Sequence, residues 1–159
     1  MASSAGKAQP VTLAFELPLP PGVNNQYVTA GKRRVLSASA QRFHREAAKR
    51  FATLRLAGTI RPAAEAALRQ SLVGVYLTFY FETPMRRDLD GGLKIALDAI
   101  ARGLGFDDRA VVDLHLTKRI DPLPPRLAVE IETIAEWEFD RTYILLAPPD
   151  PGRTDAGDN

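Results

Sequence analysis

The chain has 159 residues, which suits one domain, and 45% of them are hydrophobic, enough for one packed core. There is no cysteine and only His44 and His115 as histidines, which excludes disulfides, thiolate chemistry and a histidine-built zinc centre. The formal charge of +2 is unevenly spread: residues 1–60 carry nine Lys/Arg against two acids, and residues 61–159 carry twelve against seventeen. A basic first third beside an acidic remainder suits a polyanion-facing surface next to a carboxylate cluster, and equally a solvated Arg-rich surface. Any metal would be held by carboxylates, which favours magnesium or manganese.

Residues 1–10 are small and polar and read as a disordered leader. They lack the apolar core of a secretory signal. No apolar run approaches the ~20 residues of a membrane span, so no membrane role and a cytoplasmic location are expected. Val11 to Leu17 alternates as a strand. The following Pro18-Leu-Pro-Leu-Pro-Pro-Gly-Val-Asn-Asn25 must be a loop, because its prolines lack donors and fix φ. Gly31-Lys-Arg-Arg34 reads as a basic hairpin-like turn before a short extended piece at Val35 and Leu36.

Ser37 or Ser39 can cap a helix through about Leu56, with Phe43, Ala47, Phe51 and Leu54 at helical spacing. Its other face carries Arg42, Arg45, Lys49 and Arg50. Residues 61–70 suit a short helix or a loop excursion. Leu72 to Phe81 is the clearest strand: Val73, Val75, Leu77, Phe79 and Phe81 share one face, and Tyr76 and Tyr80 the other. A helix is predicted from about Gly91 to Arg102, with Leu93, Leu97 and Ile100 as its stripe. Val111 to Arg119 reads as a strand with Val112, Leu114 and Leu116 inward, and a turn at Asp121 to Pro125 leads to a strand over Leu127 to Thr133. These last two are expected to form an antiparallel hairpin. Trp137 to Leu146 is expected to be a strand or docked extension, and residues 147–159 a disordered tail. The order predicts a single α+β domain over residues 11–146, with a mixed, partly antiparallel sheet and helices on one side.

The chemistry concentrates in Arg86-Arg-Asp-Leu-Asp-Gly-Gly-Leu-Lys-Ile-Ala-Leu-Asp98 and in Asp107-Asp108. Asp88 and Asp90, two apart, point the same way in an extended segment and need a cation between them. Asp90, Lys94 and Asp98 are four apart and stack on one helix face. The loop before the next strand can bring Asp108 back to the same end of the sheet. Three acids and a lysine meeting there would suit metal-assisted phosphodiester hydrolysis. Each residue also has a plainer use: Asp88 or Asp90 as a helix cap, Lys94–Asp98 as an exposed ion pair, Asp107–Asp108 as turn residues. Spacing alone leaves the choice open.

The run Arg87-Asp-Leu-Asp90, with Lys94 and Asp98 in register, then Asp107-Asp108 and Val111-Val112, resembles the RusA family of Holliday junction resolvases. Leu17-Pro-Leu-Pro-Pro-Gly-Val-Asn-Asn25 resembles that family's opening strand and loop, and the likeness spans roughly Leu13 to Ile131. It implies a RusA-like fold and a homodimer. It also implies binding to four-way junctions and other branched DNA, paired symmetric nicks in DNA recombination and repair, and dependence on Mg2+, with Mn2+ as a substitute. By position, Asp88, Asp90 and Asp108 would be the metal ligands and catalytic acids. Lys94 would be the catalytic lysine, with Asp98 and Asp107 in support. Gly91 and Gly92 depart from the family's usual Asn after the second Asp, which implies a looser helix start. The chain past Thr133 runs on beyond the family core. A nucleoid-associated protein in the cytoplasm follows.

Phosphate contacts are expected from Lys32, Arg33, Arg34, Arg86 and Arg87, with Arg86 or Arg87 also placed to lower the pKa of Asp88. His115 is read as structural and His44 as a remote general-base candidate, with Trp137 and Tyr143 as packing or dimer contacts. Two rivals are a non-enzymatic DNA-binding module of the same fold and an Asp-x-Asp phosphatase. The second expects its acids directly on a strand end and a Thr or Val where Gly92 stands.

Overall fold

The computed structural model describes residues 10–84 and 87–134. The leader through residue 9, Arg86 and the expected extension and tail lie outside the described residues. The described residues form six strands and three helices, in the order β1 (Thr12–Pro18), β2 (Tyr27–Ala30), β3 (Arg33–Leu36), α1 (Ala38–Leu56), α2 (Pro62–Arg69), β4 (Leu72–Phe81), α3 (Leu93–Leu104), β5 (Val111–Ile120) and β6 (Arg126–Ile134). Short 3-10 turns occupy Val23–Asn25 and Asp108–Ala110.

The main sheet has the order β1-β6-β4-β5. β6 runs antiparallel to both β1 and β4, whereas β5 runs parallel to β4. The parallel pairing follows from α3, which carries the chain back along the sheet before β5 begins; parallel neighbours need such a crossover. The expected hairpin between β5 and β6 does not form. The chain between Ile120 and Arg126 crosses the end of β4 instead, and β6 inserts between β4 and β1. Five extended residues span about 16 Å, more than the ~10 Å of two strand spacings. Asp121 secures this crossing by accepting from Leu123 N (2.9 Å) and from Arg126 (2.9 Å), whose guanidinium lies 3.9 Å from the Tyr80 ring centroid.

One face of the sheet supplies the core. Leu13, Phe15 and Leu17 of β1, Leu127, Val129 and Ile131 of β6, and Val73 to Phe81 at alternate positions of β4 are all buried. They pack with Phe43, Ala47, Phe51 and Leu54 of α1 in one cluster. On the opposite face Tyr76, Thr78 and Tyr80 are half-exposed, so among the described residues the helices cover one side only. Ser37 caps α1, its Oγ accepting from Ala40 N at 3.1 Å. The buried stripe of α3 is Ile95, Ala96, Ala99, Ile100, Ala101 and Leu104; Leu93 and Leu97, expected at its centre, flank it half-buried. α3 packs against α1 and shares one core cluster with the sheet, so its buried surface takes in small residues that simple amphipathic periodicity leaves out. Gly103 is the closest approach: a methyl there would overlap the ring of Phe51.

β2 and β3 form a separate exposed hairpin around Gly31, whose φ of 62° favours glycine. The sequence pattern marks its turn and β3 but not β2. Tyr27-Val-Thr-Ala30 has no buried face to leave a pattern.

Candidate active site

The acid-bearing turn lies between β4 and α3. It is closed by Gly91 N donating to the Asp88 carbonyl (3.3 Å) and Leu93 N to the Asp90 carbonyl (3.0 Å). Asp88 and Asp90 are both exposed. Neither caps α3: the N-cap is Gly92, with no side-chain hydrogen bond. The capping alternative for Asp88 and Asp90 is thereby removed. A cleft of about 140 Å³ beside Asp88 is lined by Gly22, Val23, Asn24, Asn25, Arg87 and Gly91, so the proline-rich loop forms its opposite wall. Gly92 sets how closely that loop approaches, since a Cβ there would stand 2.7 Å from Pro20 Cγ. A side chain at Gly92 would therefore push the proline-rich loop away from the start of α3.

Lys94 leaves the first turn of α3 with its side chain 72% exposed. Its ammonium donates to Asp98 at 2.7 Å and lies 3.6 Å from Asp108. The hydrogen bond and charge of Asp98, with a smaller contribution from Asp108, hold it above the usual lysine range. Asp107 behaves differently from its neighbour. It accepts from the backbone of Arg109 and from its guanidinium, at distances down to 2.6 Å. The bonds from the Arg109 side chain and then its backbone hold the carboxyl at about 2, well below the usual range.

Asp108 comes to the first turn of α3, its carboxylate 3.6 Å from the Lys94 ammonium. Because β5 is parallel to β4, with Val73 opposite Val111 and Phe81 opposite Ile120, Asp108 precedes the pair at its start. The Asp88–Asp90 turn follows β4 at its end. The polar face of α3, bearing Lys94 and Asp98, runs between them. Among the described residues no three His, Cys, Asp or Glu side chains form a group able to hold a metal. The donors nonetheless fit magnesium in kind, being solvent-accessible carboxylates with no sulfur or imidazole nearby in sequence.

The basic residues divide. Lys32, Arg33 and Arg34 are exposed on the β2–β3 hairpin, with the Arg34 guanidinium 4.4 Å from the Tyr27 ring centroid. Arg87, expected to face DNA, turns inward and donates to the Pro20 carbonyl at 2.5 Å. On α1, Arg50 is spent on the Glu16 carbonyl at 3.1 Å. His44 lies in a groove between α1 and α3; burial, then the charge of Arg102, lowers its pKa. His115 sits on the open sheet face, stacked on Tyr76 at 4.6 Å and 3.0 Å from Asp113.

Two residues that sequence reasoning misses reach the acid-bearing turn. Gln26, buried, donates to the Gly91 carbonyl (3.1 Å), and Lys118 donates to the Arg87 carbonyl (2.7 Å). Gln26 leaves no signal. Lys118 leaves one: it interrupts the apolar row Leu114, Leu116, Ile120 on the helix side of β5.

A family model described as endodeoxyribonuclease RusA matches residues 18–132, from the start of the proline-rich segment into β6. The chain belongs to the RusA family. The α+β fold is that of a RusA domain, and the family is one of endodeoxyribonucleases. A search of curated proteins returned no match. No helix among the described residues is long and apolar enough to cross a membrane.

Proposed function

We propose that the protein is a magnesium-dependent, structure-selective endodeoxyribonuclease that resolves four-way DNA junctions by paired nicks, acting as a homodimer in recombination and repair. Its place is the nucleoid of the cytoplasm. The observation that carries this reading is the Lys94 ammonium within 3.6 Å of Asp108, on the helix that starts at the Asp88–Asp90 turn. The RusA match over residues 18–132 supplies the chemical context.

Asp88, Asp90 and Asp108 would hold the magnesium ion, or manganese in its place. When bound it polarises the phosphodiester and makes an attacking water more acidic. The protein's own groups do the rest. Lys94 stays protonated at neutral pH and offsets the negative charge that grows on phosphate oxygens during the displacement. Asp98 holds Lys94 in place from one turn further along α3. Lys32, Arg33 and Arg34 grip the DNA backbone without reading sequence. Paired nicks require two such sites, hence two copies of the chain.

The phosphatase reading is disfavoured by the polar segment that separates Asp88 from the end of β4 at Phe81. The test is nicking of a synthetic four-way junction with magnesium and with chelator, comparing wild type with Asp90→Asn. We expect symmetric nicks from wild type in magnesium alone, and retained binding without nicks from the variant. Binding without cutting by wild type would leave a DNA-binding module. Release of phosphate from small esters with intact junctions would leave a phosphatase.

A further inference from the structure

The backbone that carries Asp88 and Asp90 is tied at both ends by side chains from distant parts of the chain. At its start, Lys118 of β5 donates to the carbonyls of Pro84 (2.8 Å) and Arg87 (2.7 Å). At its end, the Gln26 amide donates to the carbonyls of Gly91 and Pro21, both at 3.1 Å. Gln26 is only 3% exposed, and its own segment is anchored in turn: Ser37 N donates to the Gln26 carbonyl, and Ser37 Oγ to that of Asn25.

Packing does not explain either residue. Lys118 stands in an otherwise apolar row, where an ammonium is costly unless its donors are paired. It spends them on two carbonyls, with the Phe81 ring centroid 5.4 Å away. A buried glutamine carries the same cost, and Gln26 meets it by joining the proline-rich loop to the start of α3. The turn between these ties bears two like charges two residues apart, which drive it to open.

We infer that Gln26 and Lys118 are positioning residues of the active site, fixing at the Gly91 and Arg87 carbonyls the turn from which Asp88 and Asp90 project. This rests on the nuclease reading of those two acids. A reacting group misplaced by about 1 Å can lose roughly 100-fold in rate, so loosening one tie should reduce turnover more than binding.

The experiment compares wild type with Gln26→Met and Lys118→Met, with Lys118→Arg as the conservative replacement and Asp90→Asn as control for the nuclease reading. Amide hydrogen exchange is followed over residues 88–93 and over β4 and β6. In both Met variants the turn should exchange at least about tenfold faster while the two strands keep wild-type protection. Junction cutting should show kcat down by about tenfold with unchanged junction Kd in chelator, and Lys118→Arg should recover most of the loss. Wild-type exchange in both Met variants overturns the inference, as does faster exchange with unaltered kcat. If a variant loses protection in β4 and β6 as well, the other variant decides. Failure of the nuclease reading shows separately, as wild type and Asp90→Asn cutting alike or not at all, and exchange then decides the tie alone.

Discussion

Asp107 and Asp108 are adjacent in the chain yet face different cations. Asp107 is bound to Arg109, at 2.6 Å, within its own turn, whereas Asp108 lies 3.6 Å from Lys94 on α3. The two should separate cleanly by substitution. Asp108→Asn is expected to lower junction cutting on the order of 100-fold, the scale of removing one preorganised charge from a reacting phosphate. Asp107→Asn should leave it within about fivefold, the scale of an exposed ion pair. Initial rates on a labelled junction measure both, and equal losses would contradict the division.

The β2–β3 hairpin carries Lys32, Arg33 and Arg34 away from the core, where they are exposed. If they grip phosphates, replacing all three by Ala weakens binding and flattens its salt dependence. The slope of log K against log salt should fall by about 0.9 for each phosphate no longer neutralised. Fluorescence anisotropy in chelator across a salt series reads this directly; an unchanged slope would move the DNA path elsewhere.

Gly103 lies within α3, yet Phe51 occupies the space a side chain would take. Gly103→Ala should therefore destabilise by about 1–3 kcal/mol, as overpacking of a close-packed core does, although alanine is the better helix former. Denaturant unfolding gives the value. Adding Phe51→Leu should restore part of it, a non-additivity expected of residues that touch.

The crossing turn between β5 and β6 gives a pH signature. The Leu123 amide, then Arg126, lower the pKa of Asp121 from its ordinary value of 3.8. A carboxyl depressed on folding contributes stability above its unfolded pKa and loses it as pH falls through the folded one. Asp121→Asn should be less stable than wild type at neutral pH, with the difference closing below pH 3.8. Unfolding midpoints followed from neutral pH down into strong acid would show convergence; a difference constant with pH would contradict it.

Local patterns made part of this architecture legible in the sequence. β4 announces itself by alternation, and α1 by Phe43, Ala47, Phe51 and Leu54 and its capping serine. The acids stand out because a motif is local too. What escapes is non-local. A short polar turn at residues 121–125 looks the same whether it closes a hairpin or crosses a strand, so the place of β6 is not readable. The α3 stripe is misplaced because its buried alanines carry little hydrophobic signal. Gln26 reaches Gly91 across 65 positions, and Lys118 reaches Arg87 across 31.

Among the described residues β5 is an edge strand, ten residues long, whose outer backbone donors and acceptors meet no neighbouring strand. Leu114 and Ile120 are 37% and 48% exposed there, a combination that invites another chain to add on. A charged residue at an inward position is one way natural sheets discourage this, and Lys118 is that residue. Its removal would therefore unguard an adhesive border as well as free the acid-bearing turn, so a Lys118 variant should precipitate more readily on concentration than a Gln26 variant with the same defect in cutting.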